Sequence, residues 1–154
     1  MSPRLAVALS LLCALGLLVP ISSTRAADPV FCDGYANAAA QSMKLANKFN
    51  CGFQGPRWIK DPNAHRLWCL IVDEKLAQTE SDARATDIHG CICQWYADQT
   101  MVQIAINVAN KCGFTGLRWL DDKKAHYDWC ANFNPGVPAM MGEMKARKSM
   151  LKGC

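Results

Sequence analysis

The sequence predicts an all-α protein made of two tandem three-helix units, each stabilised by disulfides. A nineteen-residue segment occurs twice, as CGFQGPRWIKDPNAHRLWC at 51–69 and as CGFTGLRWLDDKKAHYDWC at 112–130. Cysteines follow nearly the same spacing in both copies, and the stretches between them are rich in helix-forming residues. A duplicated, cysteine-linked helical unit accounts for all three observations.

Residues 1–26 have the composition of a secretory signal peptide. One positive charge at Arg4 precedes an apolar run over 5–19, and small residues lead up to Ala26. The run is shorter than the roughly 20 residues of a membrane-spanning helix, and Cys13 lies inside it. We therefore expect cleavage after Ala26, no membrane span in the mature protein, and a secreted or periplasmic location.

Composition narrows the function classes. Removal of Arg4 and Arg25 leaves the mature chain with a formal charge of only about +2. Since no basic run is interleaved with aromatic residues, we expect no nucleic-acid partner. The sequence also lacks a nucleophile elbow, a metalloprotease histidine pair and a phosphate-binding loop, so it predicts neither an enzyme nor a cofactor.

The eight mature cysteines divide into two equivalent sets. A shift of 61 positions superimposes the copies without a gap through the second tryptophan-cysteine pair, which predicts repeats at 27–91 and 93–154 with Ile92 between them. The closeness of Cys91 and Cys93 then follows from the junction and not from a redox or metal motif. An even number of cysteines in an exported chain predicts a disulfide framework. Its members are Cys32, Cys51, Cys69, Cys91, Cys93, Cys112, Cys130 and Cys154.

The first helix of each copy is predicted between its first two cysteines, over residues 32–51 and 93–112. In both copies Cys-Gly follows, so we expect the helix to end in a left-handed glycine, Gly52 or Gly113. The ends of these helices should therefore be equivalent in the two copies.

The second and third helices are predicted from capping residues and composition. Asp61 and Asp122 can accept hydrogen bonds from first-turn amides, and Pro62 suits the first helical position. The third helix is expected at about 81–89 in the first copy and about 139–152 in the second, where the insertion NPGVP precedes it.

Helix geometry excludes one disulfide pairing and leaves two schemes open. If Cys32 and Cys51 bracket a continuous helix, they lie about 28 Å apart, far beyond the roughly 7 Å that a disulfide tolerates between α-carbons. Either Cys32 pairs with Cys69 and Cys51 with Cys91, or Cys32 pairs with Cys91 and Cys51 with Cys69. The same choice exists in the second copy.

The repeated motifs C-x2-YA, CGF-x-G-x-RW and H-x2-WC occur in both copies. The pattern resembles a family of small exported, cysteine-rich proteins that is mainly alphaproteobacterial. The resemblance covers both units and implies export, but it implies no activity.

The recurring polar and aromatic residues form the candidate ligand-binding set. In a purely structural interpretation, aspartate caps a helix, arginine is its ion-pair partner, histidine hydrogen-bonds in the first turn, and tryptophan fills a small core. In the binding interpretation, tryptophan faces and arginine donors bind a glycan or a protein of the cell envelope, once in each copy. The set is Arg57, Trp58, Asp61, His65, Trp68, Arg118, Trp119, Asp122, His126 and Trp129. We predict a non-catalytic binding or interaction module.

Periplasmic copper or zinc binding is the alternative function. His65 and His126 could supply imidazoles to a shared site, and Met140, Met141 and Met144 could add thioethers that select Cu(I). One recurring histidine per unit is a sparse ligand set, so the methionines are also expected to pack as the apolar face of the last helix.

Two further placements are expected near the helix ends. The basic stretch Lys145, Arg147, Lys148 and Lys152 should form a solvated outer face of the last helix. His89, which occurs in the first copy alone, should be an exposed residue at a helix end.

Overall fold

The computed structural model describes residues 26–154, so the predicted signal peptide lies outside the described residues except for Ala26. Helices are the dominant secondary structure of this part of the chain, which confirms the all-α prediction. They are α1 (Pro29–Lys48), α2 (Pro62–Ile71), α3 (Glu74–Ala109), α4 (Lys123–Phe133) and α5 (Gly136–Lys152). Single 3-10 turns, Pro56–Trp58 and Leu117–Trp119, precede α2 and α4. Over residues 26–154, no helix combines the length and apolarity needed to cross a bilayer.

Aspartate side chains begin four of these helices. Asp61 accepts a hydrogen bond from the Asn63 amide, and Asp122 accepts one from the Ala125 amide, as the sequence predicts. Asp28 and Asp73 cap α1 and α3 in the same way. Each carboxylate satisfies an amide that has no partner within its helix, which typically stabilises a helix by about 1 kcal/mol.

The longest helix, α3, crosses the junction between the two copies. The expected third helix of the first copy, over 81–89, is too short: α3 begins at Glu74 and continues to Ala109, so it includes the first helix of the second copy. The helix is continuous because only Ile92 separates the copies and no proline occurs within it. Its thirty-six residues span about 54 Å.

The disulfides follow the first of the two pairing schemes. Cys91 and Cys93 are two residues apart on α3, so their side chains leave the helix about 200° apart. One bonds to Cys51, three residues beyond the end of α1, and the other to Cys130 in α4. The four bonds are Cys32–Cys69, Cys51–Cys91, Cys93–Cys130 and Cys112–Cys154.

A hydrophobic core is shared by the two copies. α1 and α2 pack together, α1 also packs on α3, and α4 and α5 pack on α3 from the second copy. Phe49 of the first copy meets Trp95 of the second edge-to-face, with ring centroids 4.9 Å apart. One cluster of buried residues contains Met43, Ala46, Phe49, Trp58, Ile88, Ile92, Cys93, Tyr96, Cys130 and Met140.

The left-handed residue that ends the first helix of each copy lies two positions before the glycine that the Cys-Gly pair suggested. Asn50 after α1 and Lys111 after α3 adopt the left-handed conformation, with φ of 59° and 56°. In each case the next amide donates to a carbonyl five residues back, as in a Schellman motif. Gly52 and Gly113 also have positive φ, but they lie beyond the cap.

Lys111→Gly is expected to raise the free energy of unfolding by about 0.5–1 kcal/mol, because lysine is strained at positive φ while glycine is not. Urea denaturation of the oxidised protein measures the change. Asn50→Gly is the matched control, and a smaller gain is expected because asparagine tolerates this conformation. An equal gain at both positions would contradict the explanation.

Candidate functional site: two equivalent cavities

The two copies form equivalent cavities, one each. The first cavity, of about 470 Å³, lies between the turn Pro56–Trp58 and helices α1, α2 and α3. The second cavity, of about 420 Å³, lies between the turn Leu117–Trp119 and helices α3, α4 and α5. Residues lining the first include Tyr35, Arg57, Trp58, His65, Trp68 and Glu80. Residues lining the second include Tyr96, Arg118, His126, Trp129, Glu143 and Arg147.

Most of the predicted binding residues line these cavities, but three do not. Asp61 and Asp122 cap α2 and α4 and do not line the cavities. Trp119 is buried and stacks on Phe114 at 5.1 Å between ring centroids. The cavity residues among those predicted are Arg57, Trp58, His65, Trp68, Arg118, His126 and Trp129.

Each cavity histidine ties its helix to the preceding 3-10 turn. His65 Nε2 lies 2.9 Å from the carbonyl oxygen of Ile59, and His126 Nε2 lies 2.9 Å from that of Leu120. Since a carbonyl can only accept, Nε2 carries the hydrogen in both residues. When the ring is neutral, Nδ1 is the remaining acceptor. The predicted first-turn hydrogen bond is therefore confirmed in both copies.

A tyrosine and a tryptophan form the aromatic wall of each cavity. The ring centroids of Tyr35 and Trp68 are 5.5 Å apart, and those of Tyr96 and Trp129 are 5.3 Å apart. The histidine of the same cavity meets the tyrosine edge-to-face at 6.2 Å in the first copy and 6.5 Å in the second. Packing of this kind fixes the positions of the rings.

The ion pairs of Arg57 differ from those the sequence suggested. Its guanidinium binds Glu80 through Nε and Nη2, at 2.7 and 3.1 Å, and binds Asp87 through Nη1 at 2.7 Å. It therefore pairs with α3 and not with Asp61. These hydrogen bonds, from Glu80 first and then Asp87, raise the pKa of Arg57 above its usual value.

Arg118 occupies the equivalent position in the second copy and has a single carboxylate partner. Its Nε and Nη2 donate to Glu143 at 2.8 and 3.0 Å, and these bonds raise the pKa of Arg118. Each arginine is therefore anchored in a bidentate pair with a glutamate, which lies on α3 in the first copy and on α5 in the second.

A second arginine in each copy, Arg84 or Arg147, is 99% buried. The guanidinium carbon of Arg84 lies 5.2 Å from the ring centroid of Tyr35, and that of Arg147 lies 5.3 Å from the centroid of Tyr96. Arg84 also donates from Nη2 to Tyr35 Oη at 3.0 Å and from Nε to the Arg57 carbonyl at 3.3 Å. The expectation that Arg147 lies on a solvated basic face is wrong, because this side of α5 packs on α3.

Arg147 is held by side chains of α3. Nε donates to Gln103 Oε1 and Nη2 donates to Thr100 Oγ1, both at 2.7 Å. The third nitrogen, Nη1, lies 3.9 Å from Glu143 Oε2, which is too long for a hydrogen bond. Two of the three nitrogens are therefore engaged by neutral groups.

Sequence reasoning missed the tyrosines and glutamates of both cavities, Arg147 of the second cavity, and Arg84, which packs on Tyr35 behind the first. A shift of 61 positions already pairs Tyr35 with Tyr96. Beyond the insertion the shift becomes 63, and it then aligns the Glu-x3-Arg sequences at 80–84 and 143–147. A search at the second offset would have found the glutamates and the buried arginines. Only the structure shows that these residues lie at the cavities.

The structure separates the residues of the suggested metal site. His65 and His126 line different cavities. Met140 is buried with its sulfur 3.1 Å from Cys130 Sγ, while Met141 is 40% exposed. Within residues 26–154, no group of three or more histidine, cysteine, aspartate or glutamate side chains is arranged to hold a metal ion.

His89 is half-buried in the middle of α3, so its expected position at an exposed helix end is wrong. Its Nε2 lies 3.3 Å from the carbonyl oxygen of Ala131 in α4. The residue therefore belongs to the contact between the two copies and not to either cavity.

His126 is expected to make stability depend on pH. Burial, and then the charge of Arg147, lower the pKa of His126, while its bond to Leu120 and the nearby Asp122 oppose the shift. The unfolded chain therefore binds more protons than the folded protein between the lowered pKa and about 6.5. The contribution of His126 to the free energy of unfolding is expected to be fully present above about pH 6.5 and to be lost as the pH decreases through this interval.

His126→Gln tests this assignment because glutamine keeps a donor near the position of Nε2 but does not titrate. The loss of unfolding free energy between pH 7.5 and pH 5.5, measured by urea denaturation, should be smaller in the variant than in the wild type. An unchanged pH dependence would contradict the assignment to His126.

Comparison with known proteins adds no family to this picture. No protein-family model, curated protein or solved structure matches the chain. The functional interpretation therefore depends on the geometry of the two cavities.

Proposed function

We propose that the protein is an exported, non-catalytic binding module of the periplasm or cell exterior, and that each copy binds ligand in its cavity. The proposed partner is a protein or glycan of the cell envelope. The disulfides, which persist in oxidising compartments, support export together with the signal peptide expected from the sequence.

The duplicated buried arginine is the observation that carries this proposal. A core can be filled more favourably by an apolar side chain of similar volume than by a desolvated charge. Yet both copies place an arginine, Arg84 or Arg147, under a tyrosine at the cavity. Helix capping and core formation do not require this charge. The charge serves to orient a polar ligand against the aromatic wall: Arg147 lines the second cavity itself, and Arg84 acts through Tyr35, which lines the first.

Blocking each cavity separately tests the proposal. Ala64 lines the first cavity and Ala125 lines the second. Both lie within α-helices, where leucine is a favourable residue. Ala64→Leu and Ala125→Leu should each abolish binding at their own cavity. Ala85→Leu, on an exposed position of α3, is the matched control.

The binding assay uses the oxidised mature protein and a panel of envelope glycan fragments and peptides. Indole N–H signals in NMR spectra report the site, because Trp68 lines the first cavity and Trp129 the second. Trp95 packs against Phe49 away from both and serves as an internal reference. We expect ligand to shift the Trp68 and Trp129 signals but not that of Trp95. Absence of binding across the panel, or binding that persists in the doubly blocked variant, would refute the proposal.

A further inference from the structure

The two cavities have different charge, although their walls are equivalent. Around the first, Arg57 and Arg84 face two carboxylates, Glu80 and Asp87. Around the second, two arginines face Glu143 alone, because Met150 occupies the position equivalent to Asp87. The second cavity therefore has an uncompensated positive charge.

Arg147 supplies this excess charge and has a nitrogen without a hydrogen-bond acceptor among the described residues. Arg147 lines the second cavity and is 1% exposed, and its Nη1 makes no hydrogen bond to any residue of the described part of the chain. In the first copy, Nη1 of Arg84 likewise makes no hydrogen bond to a described residue, but Arg84 does not line the open space of the cavity. A guanidinium nitrogen that lacks an acceptor, on an arginine that lines the cavity, favours binding of an anionic oxygen.

The remaining wall of the second cavity is largely apolar. Leu117 and Leu120 come from the 3-10 turn and the residue after it, Ala125 comes from α4, and Trp129 and Tyr96 supply aromatic rings. A fully hydrated inorganic anion would gain little from these surfaces, whereas an organic acid would bury its carbon skeleton against them.

We propose that the second cavity is selective for a carboxylate attached to an apolar or aromatic body, and that the first cavity lacks this selectivity. The carboxylate accepts from Arg147 Nη1, and the apolar body lies between Trp129 and the leucines of the turn. This inference rests on the proposed function, since it names the chemical class that one of its two cavities binds.

The test compares 3-phenylpropanoate with its neutral amide, 3-phenylpropanamide, and with inorganic phosphate, each titrated into the oxidised protein. The indole N–H signal of Trp129 reports the second cavity and that of Trp68 the first. We expect the carboxylate to shift the Trp129 signal at a concentration at least about tenfold lower than either the amide or phosphate does. Trp68 should not discriminate between carboxylate and amide.

Exchanging the residue that differs between the cavities makes the test independent of the buried arginine. Met150→Asp supplies the missing carboxylate and is expected to weaken carboxylate binding about tenfold. Asp87→Met is the reciprocal change, and it should strengthen carboxylate binding in the first cavity. Both positions are partly exposed, so the fold should tolerate them. Arg147→Gln should weaken carboxylate binding at least about tenfold, with Lys148→Gln, at an exposed position of the same helix, as its control.

Equal affinity for carboxylate and amide, or an unaffected Met150→Asp variant, would overturn the inference. Phosphate binding as tight as that of the carboxylate would refute the requirement for an apolar body in the ligand. A second cavity that binds none of the three probes would also overturn it. The proposed function would still stand if panel ligands bound and Ala64→Leu or Ala125→Leu removed that binding. It would fail if those blocking variants had no effect.

Discussion

Arg84→Ala is expected to lower the free energy of unfolding by about 2–5 kcal/mol. The side chain is 99% buried, so truncation leaves a void between α1, α3 and the turn Pro56–Trp58. The Tyr35 hydroxyl and the Arg57 carbonyl also lose a donor. Urea denaturation of the oxidised protein at neutral pH measures the change.

Arg84→Met separates the contribution of volume from that of charge. Methionine fills much of the space but donates no hydrogen bonds, so we expect a loss of about 1–3 kcal/mol, smaller than that of alanine. Glu80 keeps its bidentate pair with Arg57 in both variants. If methionine were as damaging as alanine, the fold itself would need the buried charge. That result would remove the argument that the charge serves ligand binding.

Loss of the Cys93–Cys130 bond is expected to be the most damaging disulfide change in the second copy. Chain entropy alone predicts a loss of about 4 kcal/mol for the paired substitution Cys93→Ala, Cys130→Ala, since the cysteines are 37 positions apart. Both are fully buried, and deletion of their sulfurs leaves a void that adds about 1–2 kcal/mol. The bond also joins α3 to α4 beside the shared core.

The Cys112–Cys154 bond is the matched control. Its separation of 42 positions gives nearly the same loop entropy, but Cys112 is half-buried and Cys154 is exposed. Paired alanine substitution should therefore cost about 4 kcal/mol at most. Denaturation under non-reducing conditions compares the two variants. Equal losses would show that burial of the Cys93–Cys130 bond contributes nothing beyond chain entropy.

Local signals predicted much of the fold but misjudged its connectivity. The caps at Asp61 and Asp122 follow from residues within one helical turn, and the structure has both. The length of α3 was underestimated because cysteine spacing marks where a repeat ends and not where a helix ends. The helix continues through Ile92 into the second copy. Sequence spacing does not distinguish the two disulfide schemes, so only the tertiary structure identifies the pairing.

The cavities were predicted only in part. The nineteen-residue repeat identified the turn, the histidines and the tryptophans, because these are close in sequence and recur together. The ion pair from Arg57 to Glu80 and the contact from Tyr35 to Arg84 join residues 23 and 49 positions apart. No local pattern indicates which glutamate faces which arginine, so Asp61 was assigned as the partner in error.

The amino-acid sequence alone was enough to predict a helical, cysteine-linked chain with a repeated unit, because repeats, capping residues and helix propensity act over short separations. Which cysteines pair, which arginines are buried and where the two cavities lie depend on packing between residues that are distant in sequence. Those features depend on how α1, α4 and α5 pack on α3 and how α2 packs on α1. Packing sets the direction in which a side chain points. Arg147 is therefore buried at the second cavity, although its basic neighbours on α5 suggested a solvated surface.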